Sequence, residues 1–528
     1  MIKTFALAIV LQCLLLISFA QADTASKFAA TITISDLKKH LTIIAGDEME
    51  GRETGTEGQR RAAAYIEAQF KLMGLLSAEK LNGYQQFYPL YKDSLISSEL
   101  IINGKPAEFG KDYYSQVNIG NPGKFKGKKI IFAGYGIDDT SYSDYIGLDV
   151  KGKIVVFFLG EPRKDGKFII SGTNKSTEWT FPGTGKKLAA AALRGAIGAF
   201  IINPSQAALP PRTIETNKKS NVYYPRNNTV GKMINHAFLS HDYAATLINN
   251  NFDTLLKTAK AVQPFDKEWA FENKVKSTFK YNKFRTIINA SNVIGVIEGT
   301  DKKDEYVFLT GHYDHLGKRD GKIYYGADDD GSGTCAVIEM ADAFAQAKAA
   351  GFGPRRTMVF MTVSGEEKGL LGSEYYSDHP VFPLEKTSVD LNTDMVGRID
   401  TERRTGDTLN YVYVIGHDKL SSELVVINEG VNKKYTDLVL DYKYDDPKDQ
   451  NSIFFRSDHY NFARKGVPIL FFYDGMLKAD YHKPTDTVDK INWDLYEKRV
   501  RMIFHTAWEI ANREEMLKRD MPLTEGER

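Results

Sequence analysis

An α/β fold with a mostly parallel central sheet, helices on both faces, is predicted for the second half of this 528-residue chain. Three observations predict it. From about residue 290 onward, apolar runs of strand length alternate with helical segments. The runs are continuously apolar rather than alternating, as in strands buried on both faces. Nearly every acidic or histidine cluster falls directly after one of those runs, and open α/β sheets gather their chemistry beyond the carboxyl ends of the strands.

The elements follow in chain order. Lys3, an apolar run from Phe5 to Phe19 and the small-residue pattern Ala20-Gln21-Ala22 describe a signal peptide over residues 1–22. The run is about 15 residues, short of the roughly 20 that a spanning helix needs. The protein is therefore expected to be exported, to a periplasm or beyond. Residues 33–76 read as helical, with Ser35-Asp36 as a cap and a polar loop at Asp47–Arg52 between two helices. Residues 23–117 are assigned to the first part of a catalytic domain.

From 118 to 275 the texture changes. Short β-branched runs at 151–160 and 198–204 flank the Ala-rich helix 187–196, which predicts an inserted small α/β domain. Gly183-Thr184-Gly185-Lys186 invites a phosphate-loop reading, but the first glycine is missing and Lys187 stands where Ser or Thr is required. Residues 276–528 return to the catalytic domain. Its strands are 292–299, 305–312, 357–366, 387–395 and 467–474, and helices 333–351 and 369–378 lie between them.

Composition bounds the class. With 42% apolar and 26% charged residues the chain buries a substantial core, and its length suits two or three domains. A formal net charge of +1 gives no reason to expect nucleic acid or an anionic membrane as a partner. Of the two cysteines, Cys13 lies in the signal peptide, so Cys335 remains alone as a buried thiol and no internal disulfide is expected.

The strand ends carry the chemistry. Run 305–312 ends in His312-Tyr313-Asp314, run 357–366 in Glu366-Glu367 and run 387–395 in Asp394, while run 467–474 precedes Tyr481-His482. Asp328-Asp329-Asp330 stands just before a helix. Each cluster alone is an ordinary surface pair or helix cap, and a calcium loop would alternate its acids where these are consecutive. Together they predict a metal site. Imidazole with carboxylate and no cysteine suits zinc in an open, catalytic setting.

The stretches GHYDHLG, GADDDGSGT, SGEEKGLLGS, NTDMVGR, SDHYNFARKGVPIL and DYHKPTDTVDKI run in order over residues 306–493. Through them the chain resembles the co-catalytic, dinuclear zinc aminopeptidases, whose relatives include bacterial leucyl aminopeptidase, glutamate carboxypeptidase, glutaminyl cyclase and the transferrin receptor ectodomain. The insert resembles a protease-associated domain. The resemblance implies two zinc ions per chain, with Asp329 bridging them, His312 and Asp394 completing one site, and Glu367 and His482 the other. Asp328 is the alternative for the bridge. It implies Glu366 as the general base for attack by a zinc-bound hydroxide, Asp314 as the group orienting His312, and Tyr481 as a support for the oxyanion. His315, His379 and His417 are read as surface or loop residues, and His459 as a pocket wall. Peptides are the expected substrates, cleaved at the N-terminus. A carboxypeptidase of the same fold, a one-zinc glutaminyl cyclase and a non-catalytic receptor-like binding protein are the alternatives.

Overall fold

A computed structural model describes residues 24–117, 123–181, 183–225, 234–248, 251–266, 271–446 and 449–524. The expected signal peptide lies outside them. The chain divides into two compact units, one made of the residues up to Leu90 with Asn289 onward, the other of Tyr91–Ile288. The division falls outside the expected limits of 118 and 275. The reason is that two long strands run through the boundaries without a break in pattern. These are β1 (Gln85–Ile102) and β2 (Ser277–Ile297).

In the first unit, helix α1 (Ile34–Ile44) ends just before the polar loop. Its cap is Thr33, not the expected Ser35-Asp36. Thr33 accepts from the Asp36 N–H and donates its hydroxyl to the Asp36 carboxylate, 2.7 Å away. Helix α2 (Glu57–Leu72) follows. The sheet continues with β3 (Lys302–His312), β4 (Arg356–Val363), β5 (Thr387–Thr393), β6 (Tyr411–Ile415), β7 (Val439–Asp441) and β8 (Ile469–Tyr473). Its helices are α3 (Gly333–Ala349), α4 (Leu371–Asp378), α5 (Glu423–Tyr435) and α6 (Trp493–Asn512).

The strand order is β7-β6-β8-β5-β3-β4-β2-β1. Strands β4, β3, β5 and β8 are parallel neighbours, while β2 runs antiparallel to β4 and β6 antiparallel to β8. The four parallel strands therefore deliver their carboxyl ends to one edge.

Both faces are covered. Val307 and Leu309 of β3 and Met358 and Phe360 of β4 enter one core with residues of α1, α2, α3 and α6. Phe308, Val359, Met361 and Val363 enter a second core with Tyr376 of α4 and Phe462. Successive side chains go to opposite cores, so the central positions 307–309 and 358–361 are all apolar and show no alternation. Each such side chain, fully buried, stabilises the fold by roughly 1.5–3 kcal/mol. Cys335 is buried within the first core, and burial pushes its thiol pKa well up. Among the described residues no helix is long and apolar enough to cross a membrane.

The second unit has its own sheet, in the order Glu272–Asn273, Ile130–Phe132, Ile154–Phe158, Gly198–Ile202, His236–Leu239, Tyr113–Tyr114. Apolar cores lie on both its faces. Lys187 is buried there and donates to the carbonyls of Tyr135 and Gly160, so its ammonium is committed to the backbone. That fits the rejection of a phosphate loop.

One helix is fixed to the site-bearing edge by a single buried cation. Arg499 of α6 is inaccessible to solvent and donates to the carbonyls of Tyr411, Val396 and Arg398, 2.9, 2.9 and 2.7 Å away. Arg499→Met fills similar volume but orphans three buried carbonyls and leaves Asp474, 3.9 Å from the guanidinium, without its cation. The expected loss is about 3–5 kcal/mol, read from the denaturant midpoint. A loss below about 1 kcal/mol, as for a surface change, would contradict it.

Candidate metal centre

The parallel edge places His312 at the end of β3, Glu366 and Glu367 just past β4, Asp394 just past β5, and His482 on the chain that follows β8. Between β3 and α3 the chain passes through the three aspartates, all buried. Their neighbours separate their jobs. Asp328 turns inward and accepts the Gly397 N–H at 2.8 Å. Asp330 accepts the N–H groups of His312, Gly333 and Met395 at 2.9, 2.8 and 3.1 Å. Asp329 alone faces the imidazoles. Its Oδ1 stands 3.3 Å from His312 Nε2, and its Oδ2 3.2 Å from His482 Nε2.

The other acids surround that axis. Asp394 Oδ1 is 3.7 Å and Glu366 Oε2 3.8 Å from His312 Nε2, and Glu367 Oε2 is 3.1 Å from His482 Nε2. Thus the six groups expected at the centre converge on one place. His312, Asp329 and Asp394 can hold one cation together, and so can His315, Asp329 and Glu367. The donors fit zinc on two counts. His312 Nε2 and Asp329 Oδ2 are buried without a hydrogen-bond partner, a costly state for polar atoms unless a cation satisfies them. Two ligands of one tetrahedral zinc stand about 3.3 Å apart, close to the His312–Asp329, His482–Asp329 and His482–Glu367 separations.

Electrostatics point the same way. Burial, then the neighbouring Glu367 and Asp394, push the Glu366 carboxyl well above its ordinary range. Burial would raise Glu367 too, but His315 and His482 hold it down to about 2 despite Asp329. Burial would lower His312, yet Glu366 and Asp394 drive it well up. Burial likewise opposes charge on His482, but Asp329 and Glu367 raise it to about 9. Four carboxylates share this pocket of low dielectric, and such a concentration needs positive charge.

Several residues differ from their expected roles. His315 is not a surface residue. It is fully buried, and its Nδ1 lies 2.8 Å from Glu367 Oε1. Asp314 does not reach His312 with its carboxylate, which is 3.7 Å from Nδ1; its backbone carbonyl accepts there instead, at 3.1 Å. The carboxylate takes the Thr54 hydroxyl at 2.6 Å and the Glu366 N–H at 3.2 Å. The polar loop 47–52 also has a function the sequence left open. Arg52 is inaccessible and donates to the carbonyls of Ile44, Tyr313, Tyr325 and Gly326, tying the His312 strand end to the aspartate loop. Asp486 accepts the N–H groups of Asp328 and Asp329. Tyr481 stacks on His482 and accepts from Arg456 Nη2 at 2.8 Å. His459 is buried against Phe471, a residue lining the pocket beside the acids. His379 is exposed, whereas His417 is largely covered and pairs with Asp445.

The family model of peptidase family M28 matches residues 292–507, a span that holds all these acids and imidazoles. That part of the chain is similar to peptidase family M28. A probable leucine aminopeptidase of Arthroderma otae is 28% identical over 215 residues, 40% of this chain and 55% of that protein. Aminopeptidase YwaD of Bacillus subtilis is 25% identical over 266 residues, 47% of this chain and 50% of that protein. The chain spans about half the length of the curated relatives it matches. An aminopeptidase from Aneurinibacillus sp. strain AM-1 shares its fold, with a TM-score of 0.53, 18% identity, and coverage of 93% of this chain and 97% of that one.

The charge state of the cluster gives a prediction. With no cation among them, His312 and His482 hold protons at neutral pH, because their pKa values are raised. A metal that takes the ring nitrogens must displace those protons. Zinc uptake at pH 7 should therefore release protons. Affinity should rise with pH through the neutral range, the His482 contribution levelling off above about 9. Calorimetry in two buffers of different ionisation enthalpy measures the release. Uptake without proton release at pH 7 would contradict this charge state.

Proposed function

We propose that this chain is a two-zinc exopeptidase that removes residues from the N-termini of peptides. One observation carries the reading: the two oxygens of Asp329 are divided between two donor sets, His312 with Asp394 and His482 with Glu367. One carboxylate facing two sets is the arrangement that a pair of ions requires, and a single-ion cyclase has no need of it. Bound there, zinc would supply Lewis acidity toward a carbonyl oxygen and toward water.

The chain's own residues then have the following work. Glu366 stands beside the donors without being needed as one. Its carboxylate, 3.8 Å from His312 Nε2, stands where it can accept a proton from the attacking water and return it to the leaving amine. Asp314, through the Glu366 N–H and Thr54, fixes where that base stands. The Tyr481 hydroxyl receives a hydrogen bond from Arg456, which leaves its own proton free for a carbonyl oxygen that gains charge. Ile453, Phe471 and Leu477 make an apolar wall next to Glu366 and Asp394, suited to an apolar side chain at the cleaved residue.

The N-terminal direction draws support from the relatives named aminopeptidases. A carboxypeptidase is the second reading, and Arg456 favours it: its guanidinium lines the same pocket and could receive a free carboxylate. Peptides with a free amine and blocked C-terminus, set against N-blocked peptides with a free C-terminus, separate the two. Turnover of only the second set would overturn the N-terminal assignment.

The adjacent glutamates separate chemistry from metal binding. Glu366→Gln should retain two zinc equivalents and lose about 10²–10⁴ in turnover, the usual share of a general base. Glu367→Gln should weaken one zinc site, with activity partly recovered by excess metal. Elemental analysis beside initial rates checks both. If Glu366→Gln strips zinc while Glu367→Gln keeps it, the two roles are exchanged.

A further inference from the structure

We propose that a cavity in the 91–288 unit is a binding site for a guanidinium group on an alkyl stem, as in an arginine side chain. None of the metal donors belongs to this unit, so the site stands or falls apart from the two-zinc reading. Three observations carry it.

The first is size and lining. The cavity measures about 150 Å³. Space of that order holds a benzene-sized group. Among the described residues, Phe132, Tyr142, Phe265 and Ile146 line it together with the carboxylates of Asp144 and Asp266. Phe132 and Phe265 meet edge to face, their ring centroids 5.0 Å apart. Ile146 is 61% exposed, so the apolar lining reaches the surface. Aromatic faces attract a flat organic cation, and its methylene stem packs along the remaining wall. A bare metal ion would find too few oxygens here.

The second is charge. Asp144 accepts the N–H groups of Tyr135 and Ile137, both at 3.0 Å, and the Tyr142 hydroxyl at 2.7 Å. All three donors are neutral. A carboxylate offers about four lone pairs, which leaves one acceptor position open. Lys187 makes no ion pair with it, because its ammonium is held by the Tyr135 and Gly160 carbonyls. Burial pushes the Asp144 carboxyl up to about 6 despite these neighbours. Asp266 is exposed and pairs with no cation among the described residues. Two carboxylates without an ion pair of their own thus line one cavity, and their complement is a cation.

The third is that the fold makes room for the carboxylate. Gly134 lies in the same wall with φ +48°, and a Cβ there would stand 2.1 Å from Asp144 Oδ1. An antiparallel bridge between Asp138 and Ser143 closes the intervening loop. Gly134, Tyr142 and Asp144 are therefore held together by one short stretch of chain.

The test uses the full chain, with chelator present, and two peptides: acetyl-Gly-Arg-Gly-amide and the same peptide with citrulline in place of arginine. Both ends are blocked, so neither is a substrate for an exopeptidase. Citrulline keeps nearly the shape of arginine and lacks its charge. Calorimetry should show the arginine peptide bound at least about 10-fold more tightly. Free arginine is a third ligand. Binding of either arginine form supports the site, and their order tells whether the guanidinium arrives on a peptide or free. Asp144→Asn should bring the arginine peptide down to the citrulline level. Asp266→Asn, a surface change that leaves the thermal melt in place, should weaken it about 3-fold. The citrulline comparison needs no variant, so it decides even if Asp144→Asn fails to fold. Equal affinity for the two peptides, no binding of any of the three ligands, or unchanged arginine affinity in both variants would overturn the proposal.

Discussion

The Asp330 carboxylate is the point on which the site depends. It accepts one N–H from the end of β3, one from the first residue of α3 and one from the end of β5. Two neighbouring strand ends and the intervening helix are thereby fixed to a single group. With that group in place, His312 and Asp394 must lie on the same side, and Asp329, one residue earlier, must project between them. Close approach is part of the same constraint. A Cβ on Gly333 would sit 2.0 Å from the Thr393 carbonyl oxygen, so only glycine lets α3 begin there.

Around this joint the protein sustains an unusual charge distribution. Asp329, Glu366, Glu367 and Asp394 converge at the open side, while Asp328, Asp474 and Asp486 stand behind, with Arg398 and Arg499 among them. The rear acids are committed to backbone N–H groups and to arginine. Those at the front meet imidazoles and one another, with Arg456 at the pocket wall. Negative charge left uncompensated in so little water is unfavourable for folding but favourable for a dication, and the same residues serve both ends of that exchange.

Much of this was legible in the linear sequence, because β3, β4 and β5 are central strands and their apolar runs end where the sheet ends. The register of a buried strand fixes which residue comes next, so His312, Glu366 and Asp394 could be placed by reading to the end of each run. His315 was not legible. It lies three residues past the strand, and only the fold of segment 51–54 against it shows that it is buried. Arg52 was read as part of a polar loop for a similar reason. Charge in a sequence suggests solvent, and nothing local reveals four carbonyls that arrive from elsewhere. The compact unit runs from Tyr91 to Ile288 and not from 118 to 275, and β1 and β2 have no turn residues at positions 91 and 288 to mark it.

Arg52 also sets the order in which the molecule can be completed. Its carbonyl partners at 313, 325 and 326 are separated from it by the whole of the 91–288 unit. During synthesis the guanidinium emerges early, with only the Ile44 carbonyl to hold until that unit has passed. His482 and Asp486 arrive later still. The helices α1 and α2 are thus a waiting half, with an apolar face and a buried cation that the remainder must cover. A nascent chain interrupted before residue 482 has β3, β4 and β5 but only part of the cradle.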